Sequence, residues 1–236
     1  AQNILRRKQA MDSRFEKGRR IETPDLRIAY SPADHDLGAY RHPEASNGRH
    51  GGWIELFNGR DLDGWRENRF AHEPRWEVKD GVLAGHGGQG YLATVEELDD
   101  FELFAEVRIS DTAGGRGNGG IYFRCQPHLD RTQEYPPGYE AQCDHGDPNN
   151  YTGSIYNLGA AGSGATKPRV KDGEWFTLRV RAEGNHFLTW VNGDPAADCR
   201  DEQDRFRRGY ILLQMHHRTG RVELRELRLR RLVRRE

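Results

Sequence analysis

The chain has 236 residues and a formal net charge of −1, from 36 Lys+Arg against 37 Asp+Glu. That balance argues against a dedicated nucleic-acid or anionic-membrane binder, whose phosphate contacts need a clear excess of positive charge. Hydrophobic content is 35% and mean hydropathy −0.95, and no run approaches the ~20 apolar residues of a membrane span. Twenty-eight Gly, ten Pro and 10% aromatics point to a turn-rich all-β domain with an appended arm rather than to a helical bundle.

Residues 1–50 read as that arm. Ten basic against seven acidic residues make it +3 and leave −4 for the rest of the chain. A helix from Ile4 to Lys17 would carry only a thin apolar stripe of Ile4, Leu5, Met11 and Phe15. The arm is therefore expected to be irregular or partly helical, and to wrap the domain, join a partner chain in a homo-oligomer, or stay unstructured. A start at Ala1 without Met is what a removed signal peptide would leave, and trimming would leave the same.

From Trp53 onward, short alternating runs are separated by Gly, Asn and Asp. Period-two alternation buries one face and exposes the other. Phe101, Leu103, Ala105, Val107 and Ile109 form one apolar row; Ile121, Phe123 and Cys125 form a second; Phe176, Leu178 and Val180 form a third. Further strands are predicted over 187–191, 210–217 and 222–232, with turns at Asp80-Gly81, Asp172-Gly173, Glu183-Gly184, Asn192-Gly193 and Thr219-Gly220. Evenly spaced strands without intervening helices predict an antiparallel sandwich over 51–236. Cys125, Cys143 and Cys199 are too few for a disulfide scaffold. A Cys125–Cys143 bridge is conceivable, but buried thiols are the commoner outcome.

The informative feature is which polar residues share a strand face. Glu140, Gln142 and Asp144 alternate with Tyr139, Ala141 and Cys143; Tyr122 and Arg124 oppose the row of Ile121, Phe123 and Cys125; Gln214 and His216 oppose Leu213 and Met215. If these three strands are neighbours, one face gathers Arg124, Glu140, Gln142, Asp144, Gln214 and His216. Carboxylates beside His supply general acid and base groups, and Arg holds an oxygen-rich ligand. The bland alternative is a cross-strand Arg124–Glu140 ion pair on a solvated face. Asp144-His145-Gly146-Asp147 could hold a divalent ion, although hydrated loops of this kind usually bind nothing, so the cofactor stays open. Trp190 falls opposite Phe187, Thr189 and Val191, which leaves it an exposed role.

Several segments carry a family resemblance. Ile54-Glu55-Leu56-Phe57-Asn58-Gly59-Arg60-Asp61-Leu62-Asp63-Gly64-Trp65 is similar to the opening of the 3-keto-disaccharide hydrolase-like family. Trp76-Glu77-Val78, Asp100-Phe101-Glu102-Leu103 and Gly117 through Arg124 follow in order. Then come Gly138-Tyr139-Glu140-Ala141-Gln142, Thr152 through Tyr156, Lys167-Pro168, Gly173-Glu174-Trp175, Trp190-Val191-Asn192-Gly193 and Leu213-Gln214-Met215-His216. The resemblance covers roughly 53–233. It implies a concanavalin A-like jelly-roll sandwich in a periplasmic or secreted bacterial protein that acts on carbohydrate, with 3-keto-glycosides as substrates. It also carries Arg124, Glu140, Gln142 and His216 into the pocket, with Asp144, Lys167 and Tyr156 as neighbours; Tyr122, Asn118 and Gln214 complete the substrate-binding set. The pattern departs from the family where Gly119 replaces Ser and where His217 replaces Gly, and the arm has no counterpart.

A 3-ketone acidifies the C2 proton, so a base can remove it and the aglycone can leave from C1 by elimination. Glu140 or His216 is expected as base, Arg124 with Gln142 as oxygen-binding groups, and Asp144 or His216 as proton donor. Ordinary two-carboxylate hydrolysis by Glu140 and Asp144 is disfavoured, because same-face residues four apart stand about 13 Å apart along a strand. The rival reading is a non-catalytic, lectin-like carbohydrate module, which would display exposed aromatic platforms. A third is an assembly role through the arm.

Overall fold

Alternating apolar residues dictate pleated strands, and thirteen occur among the described residues of the computed structural model, 52–72, 74–126, 135–156 and 158–232. The arm and its expected short helix lie outside them. In chain order the strands are β1 (Trp53–Glu55), β2 (Trp65–His72), β3 (Arg75–Lys79), β4 (Val82–His86), β5 (Gln89–Thr94) and β6 (Phe101–Asp111). They continue with β7 (Asn118–Cys125), β8 (Tyr139–Asp144), β9 (Trp175–Glu183), β10 (His186–Val191), β11 (Asp194–Arg200), β12 (Tyr210–Met215) and β13 (Gly220–Arg231). Asp80-Gly81 and Asn192-Gly193 close two hairpins with positive φ at both central residues, 52° and 77°, then 52° and 83°. That geometry matches the right-handed strand twist, and Asp-Gly and Asn-Gly adopt it at low cost.

The strands form two antiparallel sheets. One runs β11-β10-β9-β6-β13-β4-β3, with β1 also paired to β13; the other runs β2-β5-β12-β7-β8. The three apolar rows of β6, β7 and β9 meet between the sheets, except at Cys125. Leu92, Ala141, Cys143, Leu213, Met215, Leu224 and Leu227 fill the same core. Each large apolar side chain so buried contributes roughly 1.5–3 kcal/mol. On β13 a register shift between Leu224 and Glu226 changes the parity, so that Val222 and Leu224 before it and Leu227 and Leu229 after it all face inward.

The outer face of the larger sheet is laced with ion pairs. Arg108 clasps Glu223 at 2.6 and 2.8 Å, and Glu102 takes Arg179 at 2.5 Å and Arg230 at 2.7 Å. Trp190 is not an exposed platform: it is buried, with the Arg179 guanidinium 4.6 Å from its ring centroid. All three cysteines are buried free thiols.

Candidate functional site

The smaller sheet places β7 between β12 and β8, so the three polar-bearing strands are neighbours. Their register draws rows across the sheet. Tyr91, Gln214, Gly120 and Gln142 form one row; Ala93, Leu212, Tyr122 and Glu140 form the next; Asn118 stands opposite Asp144. Members of a row share a face. Tyr91, Ala93, Tyr122, Cys125 and Leu212 form a cluster distinct from the main core, with Tyr210 packed against it. On that face Glu140, Gln142 and Gln214 are 4%, 3% and 2% exposed.

Gly120 makes room for the central carboxylate. A Cβ there would lie 2.8 Å from Glu140 Cγ and closer still to its Oε1. Burial first, and the Glu140 charge second, hold the Tyr91 and Tyr122 phenols well above their usual range. Both therefore keep their protons. Their rings meet edge-on with centroids 5.4 Å apart. Gln214 Nε2 donates to the Tyr91 hydroxyl at 3.3 Å and the Tyr122 hydroxyl at 3.4 Å, and Gln142 Nε2 donates to Asn118 Oδ1 at 3.5 Å. The Oε1 atoms of Gln142 and Gln214 are buried and have no hydrogen-bond partner. A buried acceptor left in that state costs ~1–3 kcal/mol, so these oxygens suit a ligand or water that gives hydrogens. Tyr156 borders the cluster: its N–H donates to the Glu140 carbonyl at 2.8 Å. Burial, followed by Glu140, Asp147 and Asp144, raises its phenol.

Arg124 does not join this face. The β12–β7 register shifts between Tyr210 and Leu212, and Arg124 sits in the resulting bulge with φ 52°. A bulge residue breaks the alternation. The Arg124 side chain is 0% exposed and packs 5.6 Å from the Phe187 ring in the core. Its guanidinium holds Asp100 Oδ1 at 2.7 Å and the carbonyls of Asp99, Gly184 and Phe206 at 2.8, 2.5 and 3.2 Å. Its ion-pair partner is thus Asp100, and the expected substrate-binding role is withdrawn. The same bulge moves Cys125 out of the core row and onto the Tyr122 face, apart from Cys143.

Asp144 is 1% exposed and committed elsewhere. Arg116 Nε lies 2.9 Å from its Oδ1, which also accepts from the Gly146 and Asp147 N–H groups at 3.0 and 3.2 Å. That makes it a loop cap rather than a proton donor. His145 is buried edge-on against Phe176, 5.5 Å between centroids, with Nδ1 2.8 Å from Thr152 Oγ1. Among the described residues, no three His, Cys, Asp or Glu side chains gather in a metal-holding group. His216, half-buried, follows β12 in the same parity as Gln214, while His217 turns to Asp111, Nε2 to Oδ2 3.4 Å. Lys167 stands exposed on the loop before β9. Tyr91 was not singled out from sequence, although the Gln89–Tyr91–Ala93 alternation carries the signal.

The fold has known relatives. The chain is similar to a candidate glycosyl hydrolase from Parabacteroides distasonis, at 21% identity and TM-score 0.62 over 78% of this chain and 95% of that one. It is also similar to the Emp47p carbohydrate recognition domain, at 16% identity and TM-score 0.53 over 77% and 96%. The carbohydrate-binding module CBM66 of Bacillus subtilis aligns at 17% identity and TM-score 0.50 over 71% and 95%. These likenesses establish a concanavalin A-like sandwich. No protein of curated function matches the sequence. The model of the 3-keto-alpha-glucoside-1,2-lyase-like domain matches residues 52–230, most of the sequence and the same stretch as the motif series, and the chain belongs to that carbohydrate-related family.

Proposed function

We propose that the domain cleaves the glycosidic bond of 3-keto-glycosides by elimination, with Glu140 as the base that takes the C2 proton. The observation that carries this reading is the buried Glu140 carboxylate, seated over Gly120 and paired across the strands with Tyr122. The proton passes from C2 to Glu140, the C1–O bond breaks, and the aglycone oxygen takes a proton from His216. Water then adds to the enone, returning a proton to C2. A protonated Tyr91 or Tyr122 phenol supplies the donor for the developing enolate oxygen, the part first assigned to Arg124.

Two-carboxylate hydrolysis has little support, since Asp144 is held by Arg116 and two backbone amides. A lectin-like module is the second reading, suggested by the likeness to a recognition domain and a binding module. The exposed large apolar residues among those described are Ile54 and Val95, not a set of aromatic platforms. Incubation with a 3-keto-glucoside in D2O decides between them. Elimination and hydration release the aglycone and put deuterium at C2, and Glu140→Gln abolishes both. Release without deuterium overturns elimination, and binding without release supports the module.

A further inference from the structure

Gln142 and Gln214 flank Gly120, one strand away on either side. Two strand spacings separate their backbones by about 9.6 Å, with the Glu140 carboxylate on the floor between them. Both amides spend their NH2 groups inside the protein, on Asn118 and on the two phenols. Both carbonyl oxygens remain enclosed without a hydrogen from the protein.

At Gln214 the direction follows from the chemistry. The Tyr91 and Tyr122 hydroxyls take the hydrogens of the Gln214 NH2 group, and an amide oxygen can only accept. The Gln214 carbonyl oxygen is thereby left for a ligand.

We propose that Gln142 and Gln214 form an acceptor-only pair that binds a sugar ring through two of its hydroxyl hydrogens. The proposal rests on reading this face as a carbohydrate site, not on catalysis there. A ketone has no hydrogen to give, so the pair orients an oxidised ring with its carbonyl away from both amides.

The test uses methyl α-D-glucopyranoside with its monodeoxy and monodeoxyfluoro derivatives, measured by calorimetry and saturation-transfer NMR. At two ring positions, both changes weaken binding ~10-fold, about one hydrogen bond, because fluorine accepts but does not donate. Gln214→Leu erases discrimination at one position and Gln142→Leu at the other. Fluoro ligands bound as tightly as the parent, or no glycoside bound at all, overturn the proposal from the wild-type series alone. Unchanged discrimination in folded Gln214→Leu protein also overturns it. This binding pattern without cleavage of 3-keto-glycosides upholds the pair and removes the enzymatic reading.

Discussion

Gly120 and Glu140 are a matched pair: the missing side chain of the first is the space occupied by the carboxylate of the second. Gly120→Ala therefore pushes Glu140 out of place while leaving the strand pairing intact. Turnover of a 3-keto-glycoside should fall about 100-fold, the scale of a catalytic group misplaced by an ångström. Circular dichroism should show the fold retained, and steady-state kinetics measure the loss.

Arg124 should matter for stability rather than for ligand binding. Arg124→Met takes the buried cation from the Asp100 carboxylate, which keeps the Gly184 N–H, and from three carbonyls that the guanidinium holds. Removing one partner of a buried ion pair costs about 3–5 kcal/mol. Urea unfolding should record that loss, and Arg124→Lys should recover only part of it, because an ammonium cannot reproduce the planar fork. Ligand affinity of the folded variant should match wild type; a large loss would return Arg124 to the site.

Much of this was legible in the sequence, and Arg124 shows where reading stops. The alternation in β6, β8, β9 and β12 located the faces, and Glu140, Gln142 and Gln214 came out on the expected one. The count failed one residue past Phe123 because a bulge has no local signature there. Its cause includes Gly209, far away in sequence, where a Cβ would collide with the Arg124 and Cys125 backbone. Asp144 illustrates a different limit. Its face was right, yet the loop that follows bends back and uses the carboxylate as a cap.

Acid should loosen the fold through Asp201. Burial alone would raise its carboxyl, but hydrogen bonds from Tyr139 and Arg205 outweigh burial and hold it below the ordinary 3.8. The unfolded chain therefore binds the proton first. This contribution is complete above pH 3.8 and is lost as pH falls through the lower folded value. Asp201→Asn should flatten the acid limb of a stability-versus-pH curve; an unchanged limb would exclude this carboxyl as its source.

The three thiols should be inert in the native protein. Burial raises Cys125 and Cys143, with Glu140 adding to both, and lifts Cys199 to about 12. Thiolate is the reactive form. A disulfide-exchange reagent at mildly alkaline pH should titrate none of them until guanidinium unfolds the chain, and then all three. Reducing agent should leave the melting temperature unchanged.

The two late strands have a consequence for assembly. β12 enters between β5 and β7, and β13 between β6 and the β4 and β1 edge. Neither layer can close until its keystone, the last strand of that sheet in chain order, slides into a gap already flanked on both sides. A chain halted before Gly220 presents two open, hydrogen-bond-hungry borders, on β6 and β4, to water or to a chaperone. Loss of β13 should therefore be far more damaging than its 12 residues would imply.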